Sequence, residues 1–143
     1  MKDKVINKSI LVSSPISKVF SALTDSSKII KYFPLKEVIS KWIVGSEVLY
    51  KGSVDGVSFT DYGTILTLDE PTEYTYAYWS DNHGTERADE NQVKISYRLS
   101  EENGQTMISV SQSNLPNQEL YTAMDTAVWD FLLGSLKNYL EKK

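Results

Sequence analysis

Residues 117–143 constrain the fold of this chain more than any other stretch. Asn117 follows Pro116 and opens a helix, Glu119 stands in its first turn and Lys142-Lys143 close it, which suits the helix dipole. At about 100° per residue, Leu120, Met124, Ala127, Val128 and Phe131 fall on one stripe. Trp129, Leu132, Leu133, Leu136 and Leu140 fall on a second stripe beside it. The polar sector that remains is narrow, made of Glu119, Thr126, Asp130, Lys137 and Glu141. A helix apolar around so much of its girth has to be enclosed on two sides. The remainder of the chain must therefore supply a concave partner.

That remainder reads mainly as antiparallel strands. Residues 4–12 alternate, with Ile6, Ile10 and Val12 on one face, and predict a half-buried strand. Ser14-Pro15 predicts a helix start, the serine as N-cap and the proline at the first helical position. Ile16, Val19, Phe20 and Leu23 continue it at helical spacing. Thr24-Asp25-Ser26 restarts the chain into a second short helix carrying Ile29, Ile30 and Phe33, stopped by Pro34. Strands are then expected at 37–44, 47–51, 57–68, 74–79 and 93–99, with a last one through Ile108 and Val110. Asp55-Gly56 and Asn103-Gly104 are hairpin turns between them. Lys94, Ser96 and Arg98 alternate with Val93, Ile95, Tyr97 and Leu99, so one face is solvated and the other buried. The fold class is α+β: a curved antiparallel sheet of about six or seven strands around a long C-terminal helix, with two short helices after the first strand.

Composition narrows the function. With a net charge of −4 and no basic run except the final Lys142-Lys143, a nucleic-acid footprint is not expected. The absence of cysteine removes disulfides, thiolate metal sites and cysteine nucleophiles together. His83 is the one histidine, which argues against a His-based metal cluster or a Ser-His-Asp triad. No phosphate-binding glycine loop, H-E-x-x-H or nucleophile elbow is present, so no metal or cofactor is expected. Residues 1–5 lack the apolar core of a signal peptide and no apolar run approaches a membrane span, which predicts a cytoplasmic protein; a monomer or weak dimer is a separate expectation. Nine tyrosines stand against four phenylalanines. A hydroxyl on a large apolar body suits a half-polar cavity, and suits a plain strand equally well.

Several local motifs add to this order. They are Ser13-Ser14-Pro15, Val19-Phe20-Ser21-Ala22-Leu23-Thr24-Asp25, Trp42-Ile43-Val44-Gly45-Ser46 and Tyr50-Lys51-Gly52. Asp61-Tyr62-Gly63-Thr64-Ile65-Leu66, Tyr78-Trp79-Ser80, Glu90-Asn91 and Ser111-Gln112-Ser113-Asn114 follow, before Trp129 and Leu136-Lys137-Asn138-Tyr139-Leu140-Glu141. Taken together they resemble the START-like, helix-grip (SRPBCC) superfamily, and within it the branch of homologues of the activator of the heat-shock-protein-90 ATPase. The resemblance covers nearly the whole chain and implies one START-like domain over residues 1–143. It implies a sheet gripping the last helix, often with an elongated cavity between them that takes lipids, sterols, polyketides or other apolar molecules. Some members are cyclases or hydrolases, and the eukaryotic namesake stimulates a chaperone ATPase in stress response. The additional N-terminal domain of the eukaryotic co-chaperones is not seen in this sequence.

Three functions are compatible with these observations. The first is binding of a small apolar or aromatic, lipid-like ligand between sheet and helix. Its candidate wall is Phe33, Trp42, Phe59, Tyr78, Tyr97, Ile108, Val110, Met124, Val128 and Phe131, each of which could equally be solid core. The parity of the strand 74–79 is open, because a bulge could turn either Tyr78 or Trp79 inward. The second function is a protein-interaction module regulating a chaperone ATPase or stress response, with the Asp81–Asn91 loop, carrying Glu86 and Glu90, and the nearby sheet face as its surface. The third is a cofactor-free enzyme acting through Asp61 or a tyrosine. A mid-strand carboxylate ordinarily faces outward or bonds to a neighbouring loop, whereas an Asp61 inside the cavity would have a raised pKa and acid–base competence. His83, beside Asp81 and Glu86, reads as a solvated loop histidine, and no catalytic residue is assigned.

Overall fold

The computed structural model describes residues 4–142. Strand β1 (Val5–Val12) leads into two short helices, α1 (Ile16–Leu23) and α2 (Ser26–Tyr32). Six strands follow: β2 (Glu37–Ser40), β3 (Glu47–Val54), β4 (Val57–Asp69), β5 (Glu73–Ser80), β6 (Val93–Glu102) and β7 (Gln105–Ser113). The chain then forms α3 (Gln118–Ala123), a π-helical turn (Met124–Val128) and α4 (Trp129–Glu141). All strands join one antiparallel sheet in the order β1-β7-β6-β5-β4-β3-β2, as an α+β fold of this sequence pattern requires. Met1, Lys2, Asp3 and Lys143, read above as part of the N-terminal segment and the helix end, lie outside the described residues.

Two tight turns set the register that matters for the site. Asp55 and Gly56 take φ of 51° and 81°, and Asn103 and Gly104 take 53° and 80°. Paired positive φ values make turns whose twist matches the strands they join. Val54 therefore faces Val57, which carries Tyr50 opposite Asp61. Glu102 likewise faces Gln105, which carries Tyr97 opposite Val110 and Ile95 opposite Gln112. The register shift between Ile65 and Thr67 falls on β4, so β5 keeps its alternation and Tyr74, Tyr76 and Tyr78 all turn to the concave face. Trp79 turns outward, where Arg87 lies over Tyr62 at 4.2 Å and over Trp79 at 5.8 Å.

Some boundaries differ from the sequence reading. Strand β2 stops at Ser40 instead of continuing to residue 44, because Trp42 adopts a φ of 55° and its indole N–H donates to Ser26 Oγ at 3.2 Å. Helix α1 is capped by Pro15 rather than Ser14, whose Oγ has no partner. The Ile16 N–H donates instead to the Glu101 carboxylate at 2.9 Å, so a β6 residue does the capping. Helix α2 begins as expected, with Asp25 accepting from the Ser27 N–H at 2.9 Å.

The last helix is gripped over only part of its length. Helix α4 buries Trp129, Leu133, Leu136 and Leu140, whereas α3 and the π turn bury no residue fully. Helix α4 packs on β1, α1 and α2, while α1 also covers β6 and β7. The two-sided enclosure expected of the whole helix thus holds for its C-terminal half. The N-terminal half stands off the middle of the sheet. The π turn accommodates one extra residue, so the register slips by about one position beyond it. Leu132 consequently continues the line of Leu120, Met124 and Val128, while Phe131, expected there, is 62% exposed. Ala127, from the same predicted stripe, is exposed as well.

Candidate functional site

Where the helix stands off, the concave face and the helix enclose a cavity of about 320 Å³. Its floor is Tyr50 from β3, Tyr74, Tyr76 and Tyr78 from β5, and Ile95 and Tyr97 from β6. Leu120, Met124, Val128, Trp129 and Leu132 roof it, and Leu23, Ile29, Tyr32 and Phe33 contribute from the short helices. Leu35, Val54 and Phe59 lie along the rim. The ring of Phe59 rests on Gly52, where a Cβ would stand only 3.0 Å from it, so the glycine holds this rim residue against the strand.

Accounting for the hydroxyls shows which are free. Tyr50 and Tyr74 share a hydrogen bond at 2.7 Å, and Tyr32 donates to the Ala22 carbonyl at 2.6 Å. The Trp129 indole donates to Gln112 Oε1 at 2.7 Å, which turns Gln112 Nε2 toward the Tyr78 hydroxyl at 3.3 Å. An indole N–H can only donate, so this bond fixes the orientation of the amide. Tyr78 is therefore an acceptor from Gln112 and keeps its own proton to donate. Among the described residues, the hydroxyls of Tyr76 and Tyr97 have no hydrogen-bond partner. Burial pushes the Tyr50, Tyr74, Tyr76, Tyr78 and Tyr97 phenols up from their ordinary range, so all stay neutral.

The polar part of the lining is Asp61, Asn82 and His83, with Ser53 at the rim. Asp61 sits directly across from Tyr50 on one side and Ser80 on the other, so it shares their concave face. Burial raises its carboxyl to about 6; the Ser80 hydroxyl works against this and the neighbouring Asp81 charge adds to it. Ser80 also donates to Asn82 Oδ1 at 2.7 Å, so its single proton has two takers. His83 folds in beside Tyr78, ring centroids 5.7 Å apart, with an enclosed Nδ1 that has no partner. Burial lowers its pKa below the ordinary histidine value, against the pull of Asp81, and keeps the imidazole neutral. The outward reading of Asp61 and the solvated reading of His83 are both corrected by these contacts.

Of the candidate residues, Phe33, Phe59, Tyr78, Tyr97, Met124 and Val128 line this cavity, and Trp42, Ile108, Val110 and Phe131 do not. Trp42 packs edge-on against Tyr74 at 5.6 Å, one layer behind the wall. Ile108 and Val110 face inward but are sealed under the helix-covered part of the sheet, at 0% and 2% exposure. Phe131 is carried outward by the π turn. The sequence reading did not bring Tyr32, Tyr50, Leu132, Asn82 or His83 to the site. Among the described residues, no group of three His, Cys, Asp or Glu side chains could hold a metal ion, and no helix is long and apolar enough to cross a membrane.

The family model described as activator of Hsp90 ATPase homolog 1-like protein matches residues 13–141. The chain belongs to this family. ChR145 from Cytophaga hutchinsonii shares 26% identity over 99% of this chain and 96% of its own, with a TM-score of 0.83. The Aha1 dimer from Colwellia psychrerythraea is 21% identical over 97% of both chains, with a TM-score of 0.76. DynU16, encoded in the dynemicin biosynthetic locus, is 17% identical over 98% of this chain and 48% of its own, with a TM-score of 0.79. The latter two likenesses concern the fold. No curated protein sequence matches the chain. The Hsp90-activator-like family thus accounts for the architecture, and the cavity lining is read from this chain's own side chains.

Proposed function

We propose that this member of the Hsp90-activator-like family binds a small apolar or aromatic molecule between the sheet and the N-terminal half of its last helix. One observation carries the reading: a tyrosine-walled cavity of about 320 Å³ in which the Tyr76 and Tyr97 hydroxyls have no partner among the described residues. A packed core satisfies its buried hydroxyls, whereas a binding site leaves a few for its guest. Apolar burial supplies the affinity at about 25 cal/mol per Å², before the cost of ordering the ligand. The free hydroxyls orient it.

Native mass spectrometry of the purified chain and a thermal-shift panel of neutral polycyclic aromatics, sterols and fatty alcohols test the reading. A ligand at about 100 times its Kd stabilises by about 2.7 kcal/mol, which is a rise of several degrees in Tm. The expected result is such a rise for at least one class. A chain with no co-purified mass and no shift across the panel overturns the proposal.

A further inference from the structure

Resting on that cavity reading, we infer that the preferred guest is an amine: an apolar or aromatic body whose protonated nitrogen pairs with Asp61. Three observations converge on this class. Asp61 lines the cavity, and no lysine or arginine lines it with Asp61. Nor does Asp61 enter any ion pair elsewhere among the described residues. A half-buried carboxylate without a cation partner is an incomplete pair, which a ligand's cation can complete.

The groups around Asp61 favour a donor-rich head. His83 lines the same cavity as a neutral ring, so it brings no positive charge to compete with a ligand's cation. The Asp61 carboxylate and the unpartnered hydroxyl oxygens of Tyr76 and Tyr97, which can accept, belong to one lining. An ammonium group carries three donors and no acceptor, which matches that set. The tyrosine rings of the floor add to the preference, since aromatic faces attract a cation. A carboxylate ligand meets the reverse situation. It would bring a second negative charge beside Asp61 and Asp81 with no lysine or arginine in the wall to receive it.

Three probes of similar size, naphthylmethylamine, naphthylmethanol and naphthoic acid, separate the outcomes at pH 7.5, with isothermal titration of the wild-type chain as the readout. The amine should bind about tenfold or more tightly than the alcohol, with the acid weakest. In Asp61→Asn the advantage of the amine should fall to about twofold or less while the alcohol binds as before. Equal binding of amine and alcohol, or tightest binding of the acid, overturns the amine inference and leaves the cavity proposal standing. Failure of all three to bind the folded wild-type chain overturns both. The probe comparison needs only the wild-type cavity, so it holds even where the variant does not fold.

Discussion

Asp61 sets a cost on the folded state that can be measured directly. Its carboxyl stands at about 6 when folded, against an ordinary 3.8, so the folded chain holds the proton more tightly than the unfolded chain. Its contribution to stability is therefore largest below the unfolded value and is lost as pH rises through about 6. The groups facing it are Asp81, the Ser80 hydroxyl and the neutral phenols of Tyr76 and Tyr78, with His83 in the same lining. Asp61→Asn keeps the shape and removes the charge. Urea melts should show the variant more stable at pH 7.5 by about 2–3 kcal/mol, with the gain shrinking toward zero near pH 4. A gain independent of pH, or a loss at pH 7.5, would contradict the buried-carboxylate description. The face of this residue was within reach of the sequence, since the Asp55-Gly56 turn dictates that Asp61 lies opposite Tyr50. His83 was not. Its place depends on how the β5–β6 loop folds back, with the His83 N–H on the Ser80 carbonyl at 3.1 Å, and no periodicity in the sequence encodes that.

At the level of elements, the last helix was legible in position and length but not in phase. A wheel drawn at 100° per residue assumes an unbroken α-helix, and it placed Phe131 in line with Met124 and Val128. The π turn at Met124–Val128 breaks that assumption and puts Leu132 on the cavity side instead. Such turns leave little trace in composition, because their extra residue is absorbed by backbone hydrogen bonding. The phase can be tested by a pair of substitutions. Phe131→Ser should change stability by no more than about 0.5 kcal/mol and leave probe binding intact, as for an exposed site. Leu132→Ala should weaken binding of a cavity probe several-fold, because it removes part of the roof. Isothermal titration of both variants with one aromatic probe decides it; the opposite pattern would restore the unbroken helix. The hairpins, by contrast, could be read in full, since an Asp-Gly or Asn-Gly pair states its own turn geometry.

The whole molecule is a sheet covered unevenly. Helices α1 and α4 seal the β1–β7–β6 side, where Ile108, Val110, Leu133, Leu136 and Leu140 are buried, and this part acts as the anchor. The middle strands face α3 and the π turn, which bury no residue fully, and there the molecule keeps its void. A sequence can state that the helix is apolar on two sides, but the difference between a filled and an open interface is a matter of a few ångströms of stand-off. That difference fixes the sign of a small-to-large substitution. In a close-packed interior, an added ring forces side chains out of their rotamers and costs about 1–3 kcal/mol. In a void, the same ring gains contacts that the wall lacks, worth about 0.5–2 kcal/mol. Leu132→Phe points its larger side chain at the cavity from a half-buried helix position. It should raise Tm by a few degrees and at the same time reduce aromatic-probe binding at least about tenfold, since protein and ligand then compete for one space. Stabilisation with lost binding identifies the space as a site kept open at the expense of stability. Destabilisation would instead show that the wall is already in contact across the gap.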